Sequence, residues 1–165
     1  CELIKSYSSF IMQNKTKLYA FNSIVSVIKK AFCEREPHNK FFPKFLSYLD
    51  CQKNNKDFSF TDYIKLEIDL LAETGYQLVL DRCAVTDKID DLYYVSPKSG
   101  QAVCKKVGEE YASKLLVLPQ FLLNQMEPNL QEKQQALKLT SYFLNRYILH
   151  DVVLRDRQTL IEHLI

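Results

Sequence analysis

The spacing of apolar residues defines the first element of the chain. Over residues 16–33, Leu18, Phe21, Val25, Ile28 and Phe32 recur at intervals of 3 and 4, with Ile24 widening the stripe, which predicts an amphipathic helix. It stops ahead of Glu34, Arg35, Glu36 and Pro37, because the residue before a proline is pushed out of the α region. A second helix over residues 41–51 puts Phe42, Phe45, Leu46 and Leu49 on one face and confines Pro43 to its first turn, where proline is tolerated. The polar run 52–57 reads as a loop. Thr61 then offers an N-cap and Asp62 an acidic first turn, Ile64, Ile68 and Leu71 form a buried stripe, and Gly75 stands where a left-handed C′ residue belongs.

After Gly75 the period changes. Residues 76–80, 92–95 and 101–104 are short and rich in β-branched or aromatic side chains, and Pro97 and Gly100 mark a turn between the last two. Helical spacing returns near Gln131, with Ala136, Leu139, Phe143 and Tyr147 in one stripe widened by Leu137, Leu144 and Ile148; a short helix carrying Leu160, Ile161 and Leu164 closes the chain. The expected fold is mainly α: a helical bundle in two parts, 1–75 and 119–165, interrupted by a small β insert over 76–118. No repeat at a fixed period appears.

Composition narrows the class without naming a partner. The 165 residues are 47% apolar and 25% charged, as in ordinary globular domains. At this length roughly 70% of the unfolded surface is buried on folding, so neither a metal nor a disulfide is needed for stability. A net charge of +2 does not by itself imply a polyanion partner, so nucleic-acid binding would need a local patch. The five cysteines, Cys1, Cys33, Cys51, Cys83 and Cys104, are scattered, with no C-x-x-C pair, which favours a reducing cytoplasm over a disulfide framework. No apolar run approaches the ~18 residues that cross a bilayer, so no membrane partner is expected. The first five residues lack a signal core and an initiator Met, and the chain is expected to be part of something longer.

Catalytic patterns are missing: there is no G-x-S-x-G, no H-E-x-x-H and no phosphate-binding glycine loop, with only three glycines in all. Cys33 and His38 are the residue types of a nucleophilic dyad, but Cys33 sits beside a core stripe, where a free cysteine behaves as a small hydrophobe. Two turns about twenty residues apart, CAVT at 83–86 and the residues after Cys104, have the layout of a zinc ribbon. Thr86 and Val107 stand where the second ligand of each pair belongs. Two thiolates do not close a tetrahedral site, so no metal or other cofactor is expected, and Val85, Tyr94 and Val103 are expected to hold the turns together by packing.

Several pieces in order resemble the RecO recombination mediators of bacterial DNA repair. They are IKLEIDLL at 64–71 followed by Gly75 and Tyr76, then Asp81, Arg82 and Cys83, the turn at Ser99 and Gly100, FLNRYI at 143–148, and Arg155, Asp156 and Arg157. The wording CAVT at 83–86 and YVSPKSG at 94–100 resembles the branch of the family that has lost its zinc ligands. The resemblance implies a C-terminal helical region with a zinc-ribbon-like insert, and an N-terminal OB-fold that no residue here covers.

It also implies a mediator that works without covalent chemistry. Such proteins bind and anneal single-stranded DNA and, with the partner RecR, help load recombinase onto strands coated by single-stranded DNA-binding protein. The acidic, aromatic-ended tail of that coating protein would need an apolar pocket and a fixed cation; Lys65, with Ile64 and Ile68, fits that role, against the plainer reading of a solvated helix-face lysine. Lys98, Lys105 and Lys106, with Arg82 nearby, are the residues of a basic edge on the insert for phosphate contact, against the plainer reading of an exposed hairpin bearing lysines; Arg155 and Arg157 match the basic segment that ends the family pattern, where a helix-start salt bridge is the plainer reading. The rival classes are a helical protein-interaction module without direct DNA binding, and an enzyme, which would need a clefted residue of strongly perturbed pKa.

Overall fold

A computed structural model describes residues 7–55, 57–124 and 126–165. Cys1, the rest of the N-terminal segment, and Lys56 of the expected loop lie outside the described residues.

The chain opens with α1 (Ser8–Met12) and the long α2 (Lys15–Ala31). Asn14 caps α2 by accepting the backbone N–H groups of Thr16 and Lys17. The helix is where the spacing predicts it, but its buried face is rotated: Ala20, Ser23, Ile24 and Val27 are buried, while Leu18, Phe21, Val25 and Ile28 are only half-buried. Ala20 and Ser23 are small enough to let neighbouring helices approach closely.

Helix α3 (Phe41–Asn54) runs three residues into the expected loop. The reason is tertiary. Lys17 of α2 donates to the carbonyls of Gln52 (2.7 Å) and Asn55 (2.6 Å), placing a cation on the orphan carbonyls at the helix end. Gln52 is buried, and its side chain exchanges two hydrogen bonds with the Ser59 backbone. Phe41 rather than Phe42 enters the core; Phe42 is 58% exposed.

Helix α4 (Phe60–Glu73) begins two residues before the expected point, capped by Ser59, whose hydroxyl accepts from the Asp62 N–H, rather than by Thr61. Gly75 ends it with φ +89°. The Tyr76 N–H bonds to the Leu71 carbonyl and the Gly75 N–H to the Ala72 carbonyl, a complete Schellman cap. That cap uses the Tyr76 amide, so the first strand, β1 (Val79–Cys83), starts three residues later than predicted.

Strands β2 (Leu92–Val95) and β3 (Gln101–Cys104) fall where predicted, and the two-residue β4 (Leu116–Val117) completes a sheet of order β1-β3-β2-β4. β3 runs parallel to β1 and antiparallel to β2. Gly100, at φ +69°, begins the approach to β1; a Cβ there would lie 2.8 Å from Leu78 Cδ2. After β3 the chain forms the short α5 (Lys105–Gly108) and a 3₁₀ turn over Glu109–Lys114, and beyond β4 the short α6 (Phe121–Asn124).

Helix α7 (Leu130–Leu144) starts with a reciprocal capping box between Asn129 and Glu132 and continues into a π-helical turn, Asn145–Leu149. His150 and Asp151, both with positive φ, turn the chain into α8 (Arg155–Leu164), which lies against α2. Ala136, Leu137, Leu139, Phe143, Leu144 and Ile148 are buried as the spacing predicts. One continuous hydrophobic cluster runs from the helices into the sheet, which makes the chain mainly α with a small β insert. Among the described residues no helix is long and apolar enough to cross a membrane.

Candidate functional site

Four helices meet around a buried ion pair. The Arg157 guanidinium of α8 grips the Glu67 carboxylate of α4 at both oxygens, at 3.1 and 3.0 Å, and its remaining N–H groups reach Ser141 Oγ (2.8 Å) and Thr140 Oγ1 (3.2 Å) of α7. Tyr63 donates to Glu67 at 2.7 Å, and Ser23 of α2 pairs with the Tyr63 hydroxyl. Burial pushes the Tyr63 hydroxyl far above its ordinary range, so it stays protonated and donates. Arg157, expected to contact DNA, is therefore committed to the core; the opposite charge of Glu67, buried beside it, satisfies its guanidinium. Arg155, two residues earlier, is exposed.

The opposite face of α4 forms one wall of a groove against α3. Pro43, Ser47, Tyr48 and Leu66 supply its apolar and hydroxyl lining, with Lys44, Lys65, Asp62, Asp69 and Cys51 around them, enclosing about 340 Å³. Lys44 is paired with Asp69. The Cys51 thiol hydrogen-bonds to Asp62, a contact that holds the thiol above its ordinary range ahead of the effect of burial. Among the described residues Lys65 makes no ion pair, and it is exposed at the groove. Ile64 and Ile68, expected beside it, do not line this groove: Ile64 is fully buried and Ile68 half-buried on the neighbouring side of the helix. The groove lining contributed by α3 was missed in the sequence, because it depends on which face of α3 meets α4.

The expected zinc-ribbon turns carry a different chemistry. Cys83 and Cys104 are both buried, the Cys104 N–H points at Cys83 Sγ (3.3 Å), and the Thr86 hydroxyl sits 3.4 Å from Cys104 Sγ. Among the described residues no three His, Cys, Asp or Glu side chains converge to hold a metal, so the donor set does not fit the zinc that a ribbon of this layout implies. Thr86 occupies the missing ligand's place as a hydrogen-bonding group. Tyr94 and Val103 pack in the core, whereas the side chain of Val85 is 68% exposed and does not pack against the turn.

The cations of the insert expected to contact DNA fall in three places. Arg82 lies between Asp81 and Asp87, at 3.7 and 3.6 Å. Lys105 and Lys106 follow the end of β3, with Lys105 over the Tyr93 ring. Lys98 precedes the other end of β3, next to Pro97, whose carbonyl accepts from Arg146. The structure therefore does not bring Lys98 together with Lys105 and Lys106. Cys33 is exposed, and His38 is stacked on Phe32 and faces Glu73 rather than any cysteine.

This arrangement can be compared with known proteins. The family described as "Recombination protein O C terminal" matches residues 12–155. The chain belongs to the RecO family. It is 54% identical over 165 residues to the DNA repair protein RecO of Rickettsia rickettsii (strain Iowa), covering 99% of this chain and 69% of the relative. The RecO of Rickettsia conorii (strain ATCC VR-613 / Malish 7) is 53% identical with the same coverage. That of Rickettsia akari (strain Hartford) is 55% identical over 152 residues, 92% of this chain and 63% of the relative. RecO proteins serve DNA repair and recombination, and the quoted resemblance falls almost wholly within the matched residues. Asp156 and Arg157 lie just beyond them.

Proposed function

We propose that the chain acts as a recombination mediator by binding, without covalent chemistry. The groove between α3 and α4 receives the acidic, aromatic-ended tail of single-stranded DNA-binding protein, and exposed cations of the insert contact single-stranded DNA during annealing and recombinase loading with RecR. The observation that carries the reading is the groove itself: an open apolar floor of Tyr48 and Leu66 with one cation at its rim, Lys65, free of any acidic partner among the described residues, while Lys44 is neutralised by Asp69. An aromatic side chain fits the floor, and a terminal carboxylate needs such an uncommitted ammonium. Lys98, Lys105, Lys106 and Arg155 are exposed and also make no ion pair among the described residues, so they support the strand-binding half.

The test is a titration of a labelled acidic tail peptide against the chain and its Lys65→Glu variant. A charge-assisted hydrogen bond is worth roughly 1.5 to 3 kcal/mol, so charge reversal should weaken binding more than about tenfold. An exposed helix-face change moves stability by less than about 0.5 kcal/mol, so the melting curve should stay in place. Wild-type affinity in the variant would move the tail elsewhere. Peptide binding without any DNA binding would favour a protein-interaction module.

A further inference from the structure

We propose that the ring of Tyr76 is a stacking platform for a base of single-stranded DNA, with the neighbouring phosphates met by Arg146, Lys138 and Lys98. The inference rests on the strand-handling reading above and gives it a place on the fold.

Tyr76 lies flat on Tyr147, with ring centroids 3.9 Å apart and planes 12° from parallel, and Phe143 lies parallel beyond at 6.3 Å. The stack is anchored in the core through Phe143, and the Schellman cap fixes the backbone of Tyr76. Although one face is covered, Tyr76 remains 41% exposed, so its outer face ends the stack in solvent. A rigid terminal ring of this kind accepts any base, because every base has a π-face, but only a strand whose bases are unpaired can offer one.

The charges around the stack suit a phosphate backbone. Arg146 lies 5.4 Å from the Tyr147 ring and is held in place by hydrogen bonds to the Pro97 carbonyl and the Tyr142 hydroxyl, both 3.0 Å. Among the described residues no carboxylate pairs with it. Lys138, Tyr142 and Arg146 follow one another at intervals of four and line an open hollow of about 730 Å³ in which no acidic residue takes part. The smaller hollow between Tyr76 and Gly100 is likewise free of carboxylates, in contrast to the groove between α3 and α4 with Asp62 and Asp69. Lys98 stands beside Pro97 at the edge of this surface.

The experiment measures binding of a labelled twenty-nucleotide oligo(dT), and of a duplex of equal length, to the whole chain across a salt series. The chain has ten Tyr and no Trp, so tyrosine emission gives a second signal when a base stacks. Tyr76→Ala is expected to weaken oligo(dT) binding roughly tenfold, the scale of one base–aromatic stack, with the salt slope unchanged. Tyr76→Phe should bind as the wild type does. Arg146→Ala should lower the log–log salt slope by about 0.7, the value for one single-strand phosphate. An iodouracil-containing strand should cross-link to Tyr76. A folded Tyr76→Ala that binds oligo(dT) like the wild type overturns the proposal while leaving the strand-handling reading intact; wild-type protein that binds no oligo(dT) at low salt removes both. Should Tyr76→Ala melt early, the Arg146→Ala slope and the cross-link decide, and an acidic peptide displaced by these changes in place of the oligonucleotide counts against the site.

Discussion

At Cys83 burial pushes the thiol up, but the Thr86 side chain and the backbone N–H groups of Cys104, Val85 and Thr86 converge on the sulfur and bring its pKa down to about 6. Cys104, its neighbour, moves the other way, first through burial. The turn thus stabilises a thiolate with backbone donors and holds a protonated thiol beside it. In the unfolded chain a cysteine titrates near 8.5, so the folded value is depressed: the stabilisation is fully present above the unfolded value and is lost as pH falls through about 6. The melting temperature is therefore expected to rise between about pH 6 and 8.5, and Cys83→Ala to flatten that rise; a slope that survives the substitution would assign it to another group. The residue types at 83, 86, 104 and 107, two thiols each without a second ligand of its pair, are legible in the sequence. The hydrogen bonds around Cys83 were not legible, because they depend on where backbone N–H groups point.

Among the helices, the Arg157–Glu67 pair decides how four elements sit together. Removing one partner of a buried, hydrogen-bonded pair leaves the other charge uncompensated, which costs about 3 to 5 kcal/mol. Arg157→Ala is expected to lower stability by that amount in a denaturant titration, whereas a loss below about 1 kcal/mol would mean that the network is hydrated and dispensable. The period of α2 was plain in the sequence, yet its phase was not. Large residues at Leu18, Phe21 and Val25 suggested one face, while the observed face turns on Ser23, buried because Tyr63 is there to bond it, and on Ala20. A polar residue gives no sign that its partner waits forty positions away. The end of α3 was hidden for the same reason, since Lys17 of another helix satisfies its carbonyls.

At the scale of the whole molecule, the cations proposed to meet a partner include Lys65 at the groove, Lys105 and Lys106 after β3, and Lys98, Lys138 and Arg146 around the tyrosine stack. Strand binding is expected to fade between about 50 and 200 mM salt, and the double change Lys105→Ala with Lys106→Ala to make the salt slope shallower; an unchanged slope would leave the stack side as the sole contact. Lys65 was legible as a rim residue from period alone, whereas Tyr76, Tyr147 and Arg146 are brought together only by the Gly75 cap and the π-helical turn. The packing of α2 against α8 also bears on how the protein is made. The Thr16 hydroxyl meets the His163 ring at 2.9 Å across 147 positions of chain. A ribosome adding about 5 to 20 residues per second takes roughly 7 to 30 s to cover that distance. Through that interval the part of the apolar face of α2 that packs against α8 has no cover, so it stays open to unwanted contacts until the end of the chain emerges.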